Sequence, residues 1–125
     1  MKRIETPKLD VTKYVGTKAE IVSAEVINSK FGAVIKVETN PIKLIDGDKL
    51  PEGKLLTGST VLGLIERNGK FVIGIDSKAD KFLQGHNVNI EKDISDDLKV
   101  GDRIKVLDGK PVVLQKNNNG FLEIA

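Results

Sequence analysis

Apolar and polar positions alternate along most of this chain, and the alternation starts only after Gly16. Glu20 to Ile27 is rich in β-branched residues, and a period of two places Val22, Ala24 and Val26 on one face of a strand. Loop residues from Asn28 to Gly32 interrupt it. The pattern resumes from Ala33 to Thr39, with Ala33, Ile35 and Val37 facing one way and Lys36 and Glu38 the other. Asn40-Pro41 stops this second strand, because proline has no amide to give to a ladder. After a long connection over 40–58, with room for a short hairpin, Val61 to Glu66 reads as a third strand. Asn68-Gly69 predicts a hairpin, since both central positions of a type I′ turn need positive φ. Phe71, Ile73 and Ile75 form the apolar face of the returning strand.

The period then changes. Ser77 stands where a helix N-cap belongs, and Asp80 three residues on makes a capping box with Asp in place of Glu. Ala79, Phe82 and Leu83 have the three-four spacing of a short amphipathic helix, which Gly85 is placed to end. Residues 86–98 read as an acidic loop. Arg103 to Val106 alternates again, Asp108-Gly109 supplies a second hairpin turn, and Pro111 to Gln115 returns. Asn117 to Gly120 marks another turn before a last strand from Phe121 to Ile124. Residues 1–13 carry Pro7 and no sustained period, and read as an arm ahead of a single domain over 14–125.

Composition narrows the chemistry. The chain has 125 residues, 39% hydrophobic and 30% charged, the balance of a globular domain rather than a disordered segment. Without cysteine there can be no disulfide, thiolate nucleophile or sulfur-ligated metal. The longest apolar run, Val61 to Ile65, is far below the ~20 residues that span a bilayer. The first residues also lack the apolar stretch of a secretory signal. A cytoplasmic protein without membrane partners is expected. Twenty basic and eighteen acidic residues leave a net charge of +2. Residues 1–60 hold ten basic against eight acidic groups, and 61–125 hold ten of each. Glu91, Asp93, Asp96, Asp97 and Asp102 outweigh Lys92 and Lys99, so an anionic partner should avoid that segment.

No catalytic constellation emerges, and the chain is read as a non-enzyme without cofactor or metal. Gly63 to Lys70 misses the phosphate-binding P-loop by one residue, and Phe71 stands where its Ser/Thr must be. His86, the one histidine, follows the helix-ending glycine and suits carbonyl capping. Asp46, Asp48 and the acidic stretch lack the calcium-loop spacing. Ser59 has no base that the sequence can pair with it. What remains is cationic and aromatic. Lys30-Phe31-Gly32 sets a lysine beside an exposed aromatic in the first strand–strand loop. Lys36, Arg67, Lys70, Arg103, Lys105 and Lys110 lie on or near strands. Aromatics stack bases while lysines follow phosphates. Phe71 and Phe82 read as core, which leaves Tyr14, Phe31 and Phe121 for stacking.

Three strands, a helix and two further strands is the order of an OB-fold, a small Greek-key barrel that binds oligonucleotides on its strand 2–3 face and adjoining loops. The layout resembles small OB-fold single-stranded DNA-binding proteins of archaea, their viruses and phages, over roughly residues 14–124. The likeness is carried by Val15 to Ile21, by Ser29-Lys30-Phe31-Gly32 before a Val-Ile-Lys-Val strand, by Ser77 to Leu83, and by Leu98 to Val106. It implies an all-β, OB-like Greek-key barrel of five to seven strands with one short helix between strands 3 and 4. It places Lys30 and Phe31 in the loop joining strands 1 and 2, and Lys110 in the loop joining strands 4 and 5. Lys36 and Lys70 would face the ligand from strands 2 and 3. The expected partner is single-stranded DNA or RNA, bound through a lysine-lined strand face including Lys36, Arg67, Lys70 and Lys105 and the flanking loops. The alternative is a protein–protein module on the same barrel, using apolar residues 55–65 to form a homo-oligomer or dock on a replication protein.

Overall fold

A computed structural model describes residues 1–3 and 9–125; of the arm read over residues 1–13, positions 4–8 lie outside them. Among the described residues seven strands form: β1 (Lys18–Ser29), β2 (Gly32–Thr39), β3 (Ser59–Gly63), β4 (Ile65–Arg67), β5 (Lys70–Val72), β6 (Pro111–Lys116) and β7 (Leu122–Ile124). Five of them close a barrel in the order β1-β2-β3-β7-β6, with β6 returning to β1. All pairs are antiparallel except β3 with β7. That order and the single parallel pair make an all-β, OB-like Greek-key barrel. The remaining two strands, β4 and β5, pair only with each other.

Inward side chains fill the barrel. Ile21, Val26, Ile35, Val37, Leu62 and Leu114 are all buried. Helix α1 (Lys78–Gly85) contributes Ala79 and Leu83 to the same core, and Tyr14 enters it from a 3-10 turn over Val11–Tyr14. The Ser77 side chain accepts a hydrogen bond from the Asp80 amide, while the Asp80 carboxylate accepts one from Asp76 N–H. Ser77 thus caps the helix, while the return bond from Asp80 goes to the residue before the cap and not to the Ser77 amide, which donates to Gly74 O. At the other end Asn87, with φ of 60°, takes the left-handed position that Gly85 was expected to supply.

Several sequence expectations shift. Val22 is half-exposed, not on the face of Ala24 and Val26, because β1 bulges between Ile21 and Ser23. One extra residue reverses the parity, so the buried positions pass from Ala19 and Ile21 to Ala24 and Val26. The run Val61 to Glu66 divides between β3 and β4, and β5 ends at Val72, leaving Ile75 exposed. The acidic loop contains a second short helix, α2 (Ile90–Asp93), capped by Asn89. Arg103 to Val106 forms no strand. It makes one bridge, Glu25 with Arg103, and then a 3-10 turn over Lys105–Leu107. The fourth barrel strand is therefore β6, and its hairpin turn to β7 is Asn117 to Gly120.

Candidate nucleic-acid interface

The β1–β2 turn is a tight two-residue connection, Lys30 and Phe31. The Ser29 hydroxyl donates to Gly32 O at 2.8 Å and accepts from Phe31 N–H at 3.1 Å. Gly32 takes φ of 113°, which only glycine adopts without strain. This locks the backbone of Phe31 while its ring stays 88% exposed. The Lys30 ammonium lies 5.1 Å from the centre of that ring. A fixed aromatic face with a cation beside it suits a base and its phosphate.

The β4–β5 hairpin leaves the barrel at the same end. Gly63, the last residue of β3, is in register with Val34 near the start of β2, and Leu64 N–H donates to Ala33 O at 3.0 Å. Arg67 and Lys70 face each other across the hairpin tip, where Asn68 and Gly69 have φ of 53° and 78°. Lys30, Phe31, Arg67 and Lys70 are thus brought to one end of the barrel by two turns of different chain segments.

Lys36 lies on the outer face of the adjoining sheet, in register with Glu25 on one side and Val61 on the other. It is the one lysine on β2 and β3, and its ammonium pairs with Glu38 at 2.9 Å. The expected lysine-lined face is therefore corrected to a single, partnered lysine. Lys70 is also engaged, 3.2 Å from Asp97, which carries part of the acidic segment to the hairpin. Exposed pairs of this kind are worth about 0–1 kcal/mol and can exchange for a phosphate. They still lower the free positive charge offered to one.

Lys105 and Lys110 are not part of this end. Lys110 O accepts from Ile21 N–H at 3.0 Å, on the edge of β1 away from β2, and it precedes β6. The loop between the fourth and fifth barrel strands, where it was expected, is instead Asn117 to Gly120. Lys105 sits in the 3-10 turn before it. Arg103 donates to Val22 O and pairs with Asp108 at 3.1 Å. Tyr14 is 2% exposed and unavailable for stacking. Phe121 is exposed, but β7 runs parallel to β3, so its start lies beside the start of β3, opposite the β1–β2 turn.

The Ser29-to-Gly32 turn chemistry was present in the sequence as a signal for a rigid loop. Of the neutralising partners, Glu38 was in view on the same strand face as Lys36, but Asp97 was not, since it lies twenty-seven residues beyond Lys70. Among the described residues, no three His, Asp or Glu side chains gather to hold a metal ion, and no helix is long and apolar enough to cross a membrane. Comparison of the chain with protein-family models, with curated proteins and with solved structures finds no match.

Proposed function

We propose that the barrel binds single-stranded nucleic acid, DNA foremost, at the end defined by the β1–β2 turn and the β4–β5 hairpin, and performs no chemistry on it. The observation that carries this reading is Phe31, held rigid by Ser29 and Gly32, almost fully exposed, with Lys30 over its ring. Exposing a phenylalanine to water is unfavourable for folding alone, and a stacked base would cover it. Lys30, Arg67 and Lys70 are the cations available to phosphates beside it. Three such contacts on a single strand imply a log–log salt slope of about −2. The pairing of Lys36 and Lys70 with carboxylates argues for modest affinity.

Fluorescence anisotropy with labelled oligo-dT, repeated across salt, tests the reading. Binding at low salt that weakens with that slope and is lost in Lys30→Glu supports it. No binding at low salt, or binding indifferent to salt, overturns it.

A docking module is the competing reading, favoured by the exposed Leu55, Val61 and Ile65 within the stretch 55–65. A stable oligomer in size-exclusion chromatography that ignores oligonucleotides would select it.

A further inference from the structure

A second basic surface lies away from the β1–β2 end, where α1 comes close to β6 and β7. Two cavities open there. One, of about 660 Å³, lies between α1 and β7 and has Lys78, Lys81 and Phe82 on its wall. The other, of about 520 Å³, lies between the end of α1 and the start of β6 and has Lys18 and Lys110 on its wall. Gly85, His86 and Ala125 line both, so the two are halves of one groove with His86 at its middle. Each half is of the size that holds a small organic ligand.

Three of the four lysines in this groove stand free of carboxylates. Lys78 pairs with Glu123, the one side-chain carboxylate lining either half. Among the described residues, Lys18, Lys81 and Lys110 have no carboxylate at ion-pair distance, as is also true of Lys30 and Arg67, whereas Lys13, Lys36, Lys70 and Arg103 each have one. Four lysines, less Glu123 and the terminal carboxylate of the 125-residue chain at Ala125, leave +2 around the groove. Burial first, and then the Lys110 ammonium, hold the His86 imidazole below its ordinary value, against a hydrogen bond with the Ala125 backbone. The lysines therefore supply the positive charge at neutral pH. Apolar surface completes the wall: the Phe82 and His86 rings pack 4.4 Å apart, and Val113 is half-exposed across the groove.

We infer that this groove binds a small organic phosphate monoester, its phosphate on the lysines around His86 and its carbon body against the apolar wall. Lysine is a point-charge donor suited to phosphate, and a local excess of cations concentrates such an anion. The groove shares no residue with the β1–β2 turn or the hairpin, so it stands or falls independently of the nucleic-acid reading.

Amide NMR spectra of the full chain, titrated at low salt with AMP, inorganic phosphate and adenosine, test the inference. AMP should shift Gly85, His86 and Ala125 saturably and bind more tightly than inorganic phosphate, while adenosine should leave them unmoved. The Lys81→Gln/Lys110→Gln double variant should keep the wild-type spectrum elsewhere and weaken AMP by about tenfold or more. Lys30→Glu should titrate as the wild type does. Absence of saturable shifts with AMP, equal affinity for AMP and phosphate, an undiminished response in the double variant, or shifts centred on Phe31 would each overturn it.

Discussion

The Tyr14 hydroxyl donates a 2.6 Å hydrogen bond to Asp48 Oδ2, and its oxygen accepts one of 2.9 Å from the Ile45 amide. One buried phenol thus ties the turn before β1 to the connection between β2 and β3, and Lys13 adds an ion pair to the same carboxylate at 3.2 Å. Tyr14→Phe keeps the ring and removes both bonds. It should lower stability by about 1–3 kcal/mol in denaturant unfolding, because a partly buried carboxylate and an amide lose their partner. A variant as stable as the wild type would show that the connection is held by other contacts.

Acid should loosen the fold in a defined direction. The Tyr14 hydroxyl holds Asp48 below its ordinary value, the Asp76 amide and then Gln84 do the same for Asp80, and Lys78 followed by Thr60 for Glu123. A carboxylate with a depressed folded value contributes stability above its ordinary value, 3.8 for Asp and 4.5 for Glu here, and loses it as pH falls through the folded value. His86, also depressed, favours its neutral form in the folded state, so acidification below about 6.5 weakens the fold there too. Urea midpoints should fall steadily from about pH 7 to about pH 3. A midpoint that rises on acidification would contradict these assignments.

Gly58 sits where the barrel leaves no room. A Cβ there would meet Leu114 Cδ2 and, at 2.7 Å, Ile124 Cγ2, both on buried side chains. Gly58→Ala should destabilise by about 1–3 kcal/mol through overpacking. Gly63→Ala, five residues along, meets open space and should stay within about 0.5 kcal/mol of the wild type. Equal thermal shifts in the two variants would refute the packing account.

Phe31→Ala separates binding from folding. The ring is 88% exposed, so stability should move by less than about 0.5 kcal/mol. Loss of one stacked base at about 1–3 kcal/mol would weaken oligo-dT by roughly fivefold to 150-fold. Unchanged oligo-dT affinity with intact folding would remove Phe31 from the interface.

Much of the architecture was legible wherever neighbouring residues decide it. The alternation of Ile35, Lys36 and Val37 fixes the faces of β2, and the φ demands of Asn68-Gly69 fix the hairpin. Ser77 with Asp80 marks the start of α1 for the same local reason. Val22 escaped because a bulge is a relation between two strands: its parity is set by pairing with Thr39 and Glu38, not by its own neighbours. Arg103 to Val106 has a strand pattern, but the edge of β1 it would occupy is shared between Arg103 and β6 along a bent strand. It is given only one bridge.

The candidate site divides in the same way. Lys30 and Phe31 could be placed from Ser29 and Gly32 alone, since a two-residue turn needs little else. Which lysines stand free could be read only in part. Lys36 pairs with Glu38 two residues along the same strand face, as the alternation allows. Lys70, however, is neutralised by the distant Asp97, and Lys18, Lys81 and Lys110, far apart in the chain, line the groove at His86. The sequence by itself determined β1 and β2, the hairpin turn, the helix start and the absence of thiol chemistry, all consequences of short-range backbone preference and side-chain type. Tertiary structure alone decided the bulge, the missing strand over Arg103 to Val106 and most of the map of free charge. Each of these depends on which distant residues close around a barrel, and Coulomb pairing over a few ångströms takes no account of separation along the chain.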